Sequence, residues 1–295
     1  MGSNTCLVLH RKSANEEYVK AAVKAVKTKG IKLRVRIPWN KKDKPRVVKE
    51  ALKAGATRVI AGGGDGTINA VVRALVGKGT KTPKASLGVM PLGTANDFAH
   101  GLGLPVDDLA RCLEIACTAE ARPMDVGMAN GAAFINVTSG GFGSEITATT
   151  PVEVKKRLGG AAYTIMGFLK VFGMNPYPVR LLVPGEEPVE AQMVFIAVGN
   201  NRLAGGGFAV APEAKTDDGL LDLAGVLHVP GMGLAELKAE LDDPTAAGNR
   251  VFVYRQLPEF TIEAPDGVHY NLDGEPTVET RMHFRVLPGH LQVAY

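Results

Sequence analysis

Ala61-Gly62-Gly63-Gly64-Asp65-Gly66-Thr67-Ile68-Asn69 decides how the rest of the chain is read. It follows a short β-branched run at 57–61. It also opens a helical pattern at 67–76, where Ile68, Val71, Val72, Leu75 and Val76 recur on one face. Glycines at a strand-to-helix turn let the backbone approach a ligand closely and take φ > 0. The first N–H groups of the helix then face the same spot with the positive end of its dipole. A phosphate fits there. No Gly-Lys-Ser/Thr follows, so this is not a Walker A loop, and the Asp among the glycines departs from the dinucleotide fingerprint. An acid inside a phosphate cradle calls for a cation or a substrate hydroxyl between the two. The plainer alternative is a glycine turn capped by Asp65.

The same architecture returns one βα unit later as Met90-Pro91-Leu92-Gly93-Thr94-Ala95-Asn96-Asp97-Phe98. Parallel strands bring both turns to the carboxyl edge of a sheet, where such folds bind ligands. Around them the pattern alternates: strands at 5–10, 31–37, 57–61 and 85–90, helices at 15–29, 43–54, 67–76 and 106–118. That alternation predicts a doubly wound parallel sheet with helices on both faces.

From residue 124 the rhythm changes. Short strand patterns at 133–137, 179–183, 191–198, 220–227, 260–263, 268–272 and 281–286 are separated by Gly, Pro, Asn and Asp. These predict a mostly antiparallel β-sandwich, with helical patterns only at 153–172 and 233–241. The expected division is a nucleotide-binding domain at 1–123 and a β-rich domain at 124–295. The final strands are free to pack back on the first domain, and the active site is expected in the cleft between the two.

The 295 residues fit about two domains, and 45% hydrophobic content excludes disorder. A net charge of +4 is too small to imply a nucleic-acid partner. Cys6, Cys112 and Cys117 lack disulfide or metal spacing and read as small buried hydrophobes in a reducing compartment. The six His have no ligand spacing either. No signal peptide or spanning segment is legible, so a cytoplasmic protein is expected, peripheral at the membrane at most. The pattern says nothing of oligomeric state. Trp39, the only Trp, has two uses open to it: stacking on a base, or the commoner one, burial of its ring.

Two further turns carry acids, Lys215-Thr216-Asp217-Asp218-Gly219-Leu220 and Asn271-Leu272-Asp273-Gly274-Glu275-Pro276. Each also reads as ordinary Asp-Gly hairpin chemistry. A third glycine turn, 200–207, reads equally as a long loop or as a site. Taken in order and spacing, Gly63-Gly64-Asp65-Gly66-Thr67, Pro91 to Phe98, Asp218-Gly219-Leu220 and Leu272-Asp273-Gly274-Glu275 resemble the diacylglycerol kinase catalytic family. The phrases Asn136 to Gly143 and Gly199-Asn200-Asn201-Arg202 are similar to its bacterial YegS-type lipid kinases. The resemblance spans roughly residues 7–286.

That resemblance implies an ATP-dependent kinase acting on a lipid hydroxyl, such as that of phosphatidylglycerol or diacylglycerol, at an anionic membrane surface. It places the nucleotide against Gly64, Asp65, Gly66, Thr67, Ile68, Asn69 and Ala70, with Thr94 from the second turn. It assigns a structural Mg²⁺ or Ca²⁺ to the Lys215 and Leu220 carbonyls and the Asp218 carboxylate. Glu275 matches the proton acceptor, Asp273 assists it or the metal, and Asp65 shares the Mg²⁺ that bridges the ATP oxygens. Where the family has a nucleotide-contacting Thr, this chain has Pro38, which offers neither hydroxyl nor N–H. NAD kinases and phosphofructokinases share the Gly-Gly-Asp-Gly-Thr turn, so an NAD kinase-like enzyme with a soluble acceptor is the alternative. Lys155-Lys156-Arg157-Leu158 and the apolar residues to Phe172 read either as a membrane-facing helix or as a core helix.

Overall fold

The computed structural model describes residues 4–141, 175–231, 245–272 and 275–295, together with 236, 239, 240, 242 and 243. The helix expected at 153–172 lies outside the described residues, as does most of the one at 233–241.

The first half is built as the pattern predicts. β1 (Thr5–Leu9), α1 (Glu17–Thr28), β2 (Leu33–Arg36), α2 (Lys44–Lys53), β3 (Arg58–Gly63), α3 (Asp65–Val76) and β4 (Ser86–Pro91) alternate along the chain. A short α4 (Asp97–Gly101) and α5 (Leu109–Thr118) follow. The four strands pair in parallel in the order β2-β1-β3-β4. β1 is wholly buried because helices cover both its faces: α1 packs with α5 on one side, α2 with α3 on the other. Cys6, Cys112 and Cys117 are buried and unoxidised, Cys112 and Cys117 within α5.

The second half comprises β5 (Ala121–Ala129), β6 (Ala132–Phe134), β7 (Val137–Gly140), β8 (Tyr177–Leu182), β9 (Val189–Gly199), β10 (Leu203–Ala204), β11 (Phe208–Ala209), β12 (Leu221–Leu227), β13 (Phe252–Leu257), β14 (Glu259–Leu272) and β15 (Glu275–Ala294). Apart from the β10–β11 pair, its strands join the parallel set in one sheet ordered β13-β12-β9-β7-β14-β15-β4-β3-β1-β2, with β5, β6 and β8 branching from it. The junction is β15, whose Val293 and Ala294 pair in parallel with Leu87 and Gly88 of β4. The segments expected at 260–263 and 268–272 are a single strand with a register shift between Glu263 and Val268. The one expected at 281–286 is the middle of the 20-residue β15. Pro123 sits inside β5, which pairs antiparallel with β15.

Aromatic packing anchors this half. The Phe260 and Phe284 rings stack with centroids 5.1 Å apart, and Phe134 meets Phe284 edge-on at 6.3 Å. Each such ring, fully buried, contributes about 1.5–3 kcal/mol.

Candidate functional site

The two glycine turns touch. A Cβ built on Gly64 would lie 2.9 Å from the Gly93 Cα, and one on Gly93 would lie 2.6 Å from the Gly64 Cα. Only residues without a side chain allow the ends of β3 and β4 to meet backbone to backbone. Gly93 is held from the other side by Asn96, whose Oδ1 accepts the Gly93 N–H at 2.8 Å while its Nδ2 donates to the Gly93 carbonyl at 3.0 Å. Asn96 takes a left-handed φ of 50° to do so, a conformation Asn tolerates better than most residues.

In front of α3 there is space. Gly66 is exposed, and an added Cβ there would meet nothing within 4 Å. Thr94 is exposed in the second turn, while Gly64, Asp65 and Ala70 are half-buried. Thr67, Ile68 and Asn69 are buried, and Ile68 belongs to the core under the sheet. An anion placed here would meet the backbone of the turn rather than those side chains.

Asp65 is already engaged. Its Oδ2 accepts the Asp97 N–H at 3.2 Å, and its Oδ1 accepts the Phe98 N–H at 3.0 Å and the Asn136 Nδ2 at 3.1 Å. The carboxylate therefore fastens the start of α4 and reaches the second half through Asn136. With about four lone-pair positions on a carboxylate, three acceptances leave capacity on Oδ2. Asp97 completes a second tie, accepting from the Gly206 and Gly207 N–H groups at 3.0 and 2.6 Å. Gly205, Gly206 and Gly207 all have positive φ, which aims successive amides at one point. Burial holds the Asp97 carboxyl above its ordinary value, against the two amide bonds that favour its charge. Asn201 donates to the Asn136 Oδ1 at 3.2 Å, and Asn200 binds the Asp125 and Ile135 carbonyls. The glycine turn at 200–207 is thus part of this cluster.

The Asp-Gly-Glu hairpin arrives by strand register. Leu272 stands opposite Thr138 of β7, two positions from Asn136, and opposite Glu275 across the hairpin. Arg73 of α3 donates to the Leu272 carbonyl at 3.4 Å and to Ala133 at 2.8 Å. Glu275 is exposed at the head of β15; Asp273 lies outside the described residues. Sequence reasoning assigned no role to Asn136, Asn201, Gly206 or Gly207, and quoted Asp97 only within its motif. Their signal was the recurrence of small polar residues and glycines in the quoted phrases.

The segment 215–220 packs elsewhere, against β5. The Asp125 N–H donates to the Thr216 carbonyl at 2.7 Å, and the Asp125 carboxylate accepts the Gly219 and Gly289 N–H groups, each at 2.6 Å. Burial raises the Asp125 carboxyl, and the nearby Asp218 and Asp217 raise it further. Asp218 is exposed and accepts the Leu220 N–H at 3.1 Å. Among the described residues no group of three or more His, Cys, Asp or Glu is arranged around a metal position. The Asp218 carboxylate and the Lys215 and Leu220 carbonyls are oxygen donors, the kind that Mg²⁺ or Ca²⁺ takes.

Trp39 is not buried. Its ring is 71% exposed, with the Arg11 guanidinium 5.3 Å above it.

Comparison with known proteins identifies the family. The diacylglycerol kinase catalytic domain family matches residues 4–129, and the YegS C-terminal NAD kinase beta sandwich-like domain matches 137–295. A protein of Pseudomonas aeruginosa named probable lipid kinase YegS-like is 42% identical, with 97% of this chain and 92% of the relative covered. One of the same name in Chromohalobacter salexigens is also 42% identical, over 99% and 93%. A solved diacylglycerol kinase structure from Bacillus anthracis superposes with a TM-score of 0.75 at 20% identity, covering 99% of this chain and 97% of that one. With matching family domains across both halves and relatives aligned along nearly its whole length, this chain belongs to the YegS-like branch of the diacylglycerol kinase catalytic family.

Proposed function

We propose that this chain is an ATP-dependent lipid kinase that phosphorylates a lipid hydroxyl, with phosphatidylglycerol and diacylglycerol as the leading acceptors. The observation that carries the reading is the abutment of the Gly64 and Gly93 turns, with Asp65 tied to Asn136 just before β7, the strand that pairs with the end of β14. The names of the relatives support the lipid as acceptor.

Residues 1–123 form the nucleotide half and 124–295 the acceptor half. The triphosphate lies against the backbone from Gly64 to Ala70, with the Thr94 hydroxyl at its side. The acceptor oxygen attacks the γ-phosphorus, the bond to the β-phosphate oxygen breaks, and ADP leaves. Such transfer needs alignment and charge stabilisation more than covalent help from the protein. Glu275 takes the hydroxyl proton as the new bond forms, with Asp273 assisting it or the metal. Asp65 orders the second turn, and its remaining lone pair would take the Mg²⁺ that accompanies ATP. Mg²⁺ accompanying ATP supplies charge neutralisation, and Lys215, Asp218 and Leu220 would hold a separate structural ion.

The test is transfer from radiolabelled ATP to a panel of lipids, with NAD as the soluble control. Label in a lipid and none in NAD is the expected result. Label in NAD alone overturns the lipid reading.

A further inference from the structure

Among the described residues, one face of the outermost strand of the parallel half is covered only in part, and β2 pairs only with β1. Its alternate residues Leu33, Val35 and Ile37 face α1, and their exposure climbs from 7% to 37% to 50% toward the carboxyl end. Between that face and α1 runs a groove of about 510 Å³. Val23, Val35 and Ile37 give it an apolar floor, and Lys20, Lys24 and Lys27 line its α1 side. Lys20 pairs with Glu17; Lys24 and Lys27 have no ion pair among the described residues. Just beyond Ile37 stands Trp39. Its carbonyl accepts from Arg11 and its N–H donates to the Asp43 carboxylate, so the backbone is pinned on both sides while the ring stays outside.

We propose that this face, the α1–β2 groove with Trp39 at its end, docks on an anionic lipid bilayer. Lysine stems cover apolar surface while their ammonium groups reach outward, here to lipid phosphates. A Trp ring is suited to the headgroup level, where one side is apolar and the other wet. Charge selects the occupant. A second copy would bring the same lysines against these, which like-charge repulsion opposes. An acidic peptide adding to the β2 edge would meet Pro38 just beyond the strand, which has no N–H to continue a ladder. Direction agrees as well. β1 to β4 are parallel, so the carboxyl end of β2 lies on the same sheet edge as Gly64 and Gly93. On the lipid-kinase reading, on which this inference rests, the acceptor hydroxyl sits at headgroup level, and this docking brings that edge to it.

Trp39 is the chain's only Trp, so its emission reports on this face alone. The full chain is mixed with vesicles of phosphatidylglycerol and phosphatidylcholine in equal parts, and with pure phosphatidylcholine. A blue shift and protection from iodide are expected with the first only, and both are lost at high salt. Each lysine neutralised near such a surface lowers partitioning about fivefold, so Lys24→Gln with Lys27→Gln lowers it roughly 25-fold, and Arg at both positions restores it. Partitioning without a change at Trp39, or equal partitioning by the Gln variant, assigns docking to another face and overturns the proposal. So does a shift produced by ATP alone and not by vesicles, or by an acidic peptide alone. A dispersed short-chain diacylglycerol separates the two ideas. If wild type phosphorylates it but Trp39 ignores vesicles, docking fails and the kinase stands. If Trp39 responds to vesicles but no lipid is phosphorylated, docking stands and the kinase reading fails.

Discussion

The Asp97 carboxylate accepts the backbone N–H of Gly207 at 2.6 Å, joining the second glycine turn of the parallel half to a loop of the other half. Asp97→Asn replaces one acceptor oxygen with a donor aimed at amide hydrogens. The expected cost is about 1.5–3 kcal/mol, as for a hydrogen bond to a charged group. Hydrogen exchange at the Gly206 and Gly207 amides should accelerate in step. Unchanged protection there would mean that something else holds the loop.

Gly93 and Gly66 make a contrasting pair. Gly93→Ala drives a Cβ to 2.6 Å from the Gly64 Cα, so a loss of about 1–3 kcal/mol from overpacking is expected, along with weaker ATP binding. Gly66→Ala meets nothing in the protein and removes a helical glycine, so stability should hold or rise by up to about 1 kcal/mol. If ATP affinity nonetheless falls in Gly66→Ala, the phosphate lies in front of that residue. Full affinity in both variants would move the nucleotide elsewhere.

Asp65 has two duties to separate. From the sequence alone its removal should abolish turnover and spare the fold. The three hydrogen bonds it accepts predict that Asp65→Ala also lowers the melting temperature. Near-normal kcat at saturating ATP and Mg²⁺ would rule out its role beside the phosphates. An unchanged melting temperature would rule out the structural one.

Glu275→Gln and Asp273→Asn are nearly isosteric and neutral. Loss of a general base typically lowers kcat by about 10²–10⁴-fold with nucleotide affinity intact, whereas a positioning residue alters both. Glu275→Gln is expected to show the first pattern. Full kcat in Glu275→Gln beside a dead Asp273→Asn would transfer the role to Asp273.

Stability should vary with pH in a direction set by burial. Asp97, Asp125 and Asp222 are all held above the ordinary carboxyl range, each chiefly by desolvation. A carboxyl whose folded value is raised binds its proton more tightly when folded. Its contribution is fully present below the unfolded value of 3.8 and is lost as pH rises through the folded value. The melting temperature should therefore rise as pH falls from neutrality toward those folded values. At lower pH the half-buried carboxylates Asp43 and Glu114, which arginine or lysine partners hold down, are protonated and their contribution is lost. A melting temperature that falls from the outset would contradict this ordering.

What the sequence revealed was mostly what is local. The buried parallel strands read as apolar runs and the helices as amphipathic stripes, because each element's pattern sits within a few turns of itself. β5 escaped because Arg122-Pro123 stands near its start and it contains Asp125. That carboxylate is buried at no local advantage; its partners Gly219 and Gly289 are 94 and 164 residues away. β15 was seen only in its middle, since Pro276, Pro288 and Gly289 mimic turns inside a strand that bends through a register shift after Leu287. The site divided the same way. The glycine turns were legible because their chemistry is contiguous, whereas the tie from Asn136 to Asp65 spans 71 residues and depends on the finished fold.

The seam between β4 and β15 has a consequence for how this protein is made. One edge of β4 is paired by β3, but the other waits for Val293 and Ala294. At about 5–20 residues per second, the roughly 200 positions separating them take on the order of ten to forty seconds to translate. Throughout that interval the nascent parallel half carries an open strand edge, the kind of template on which neighbouring chains associate. The residues that close it are made roughly 200 positions after the edge they cover.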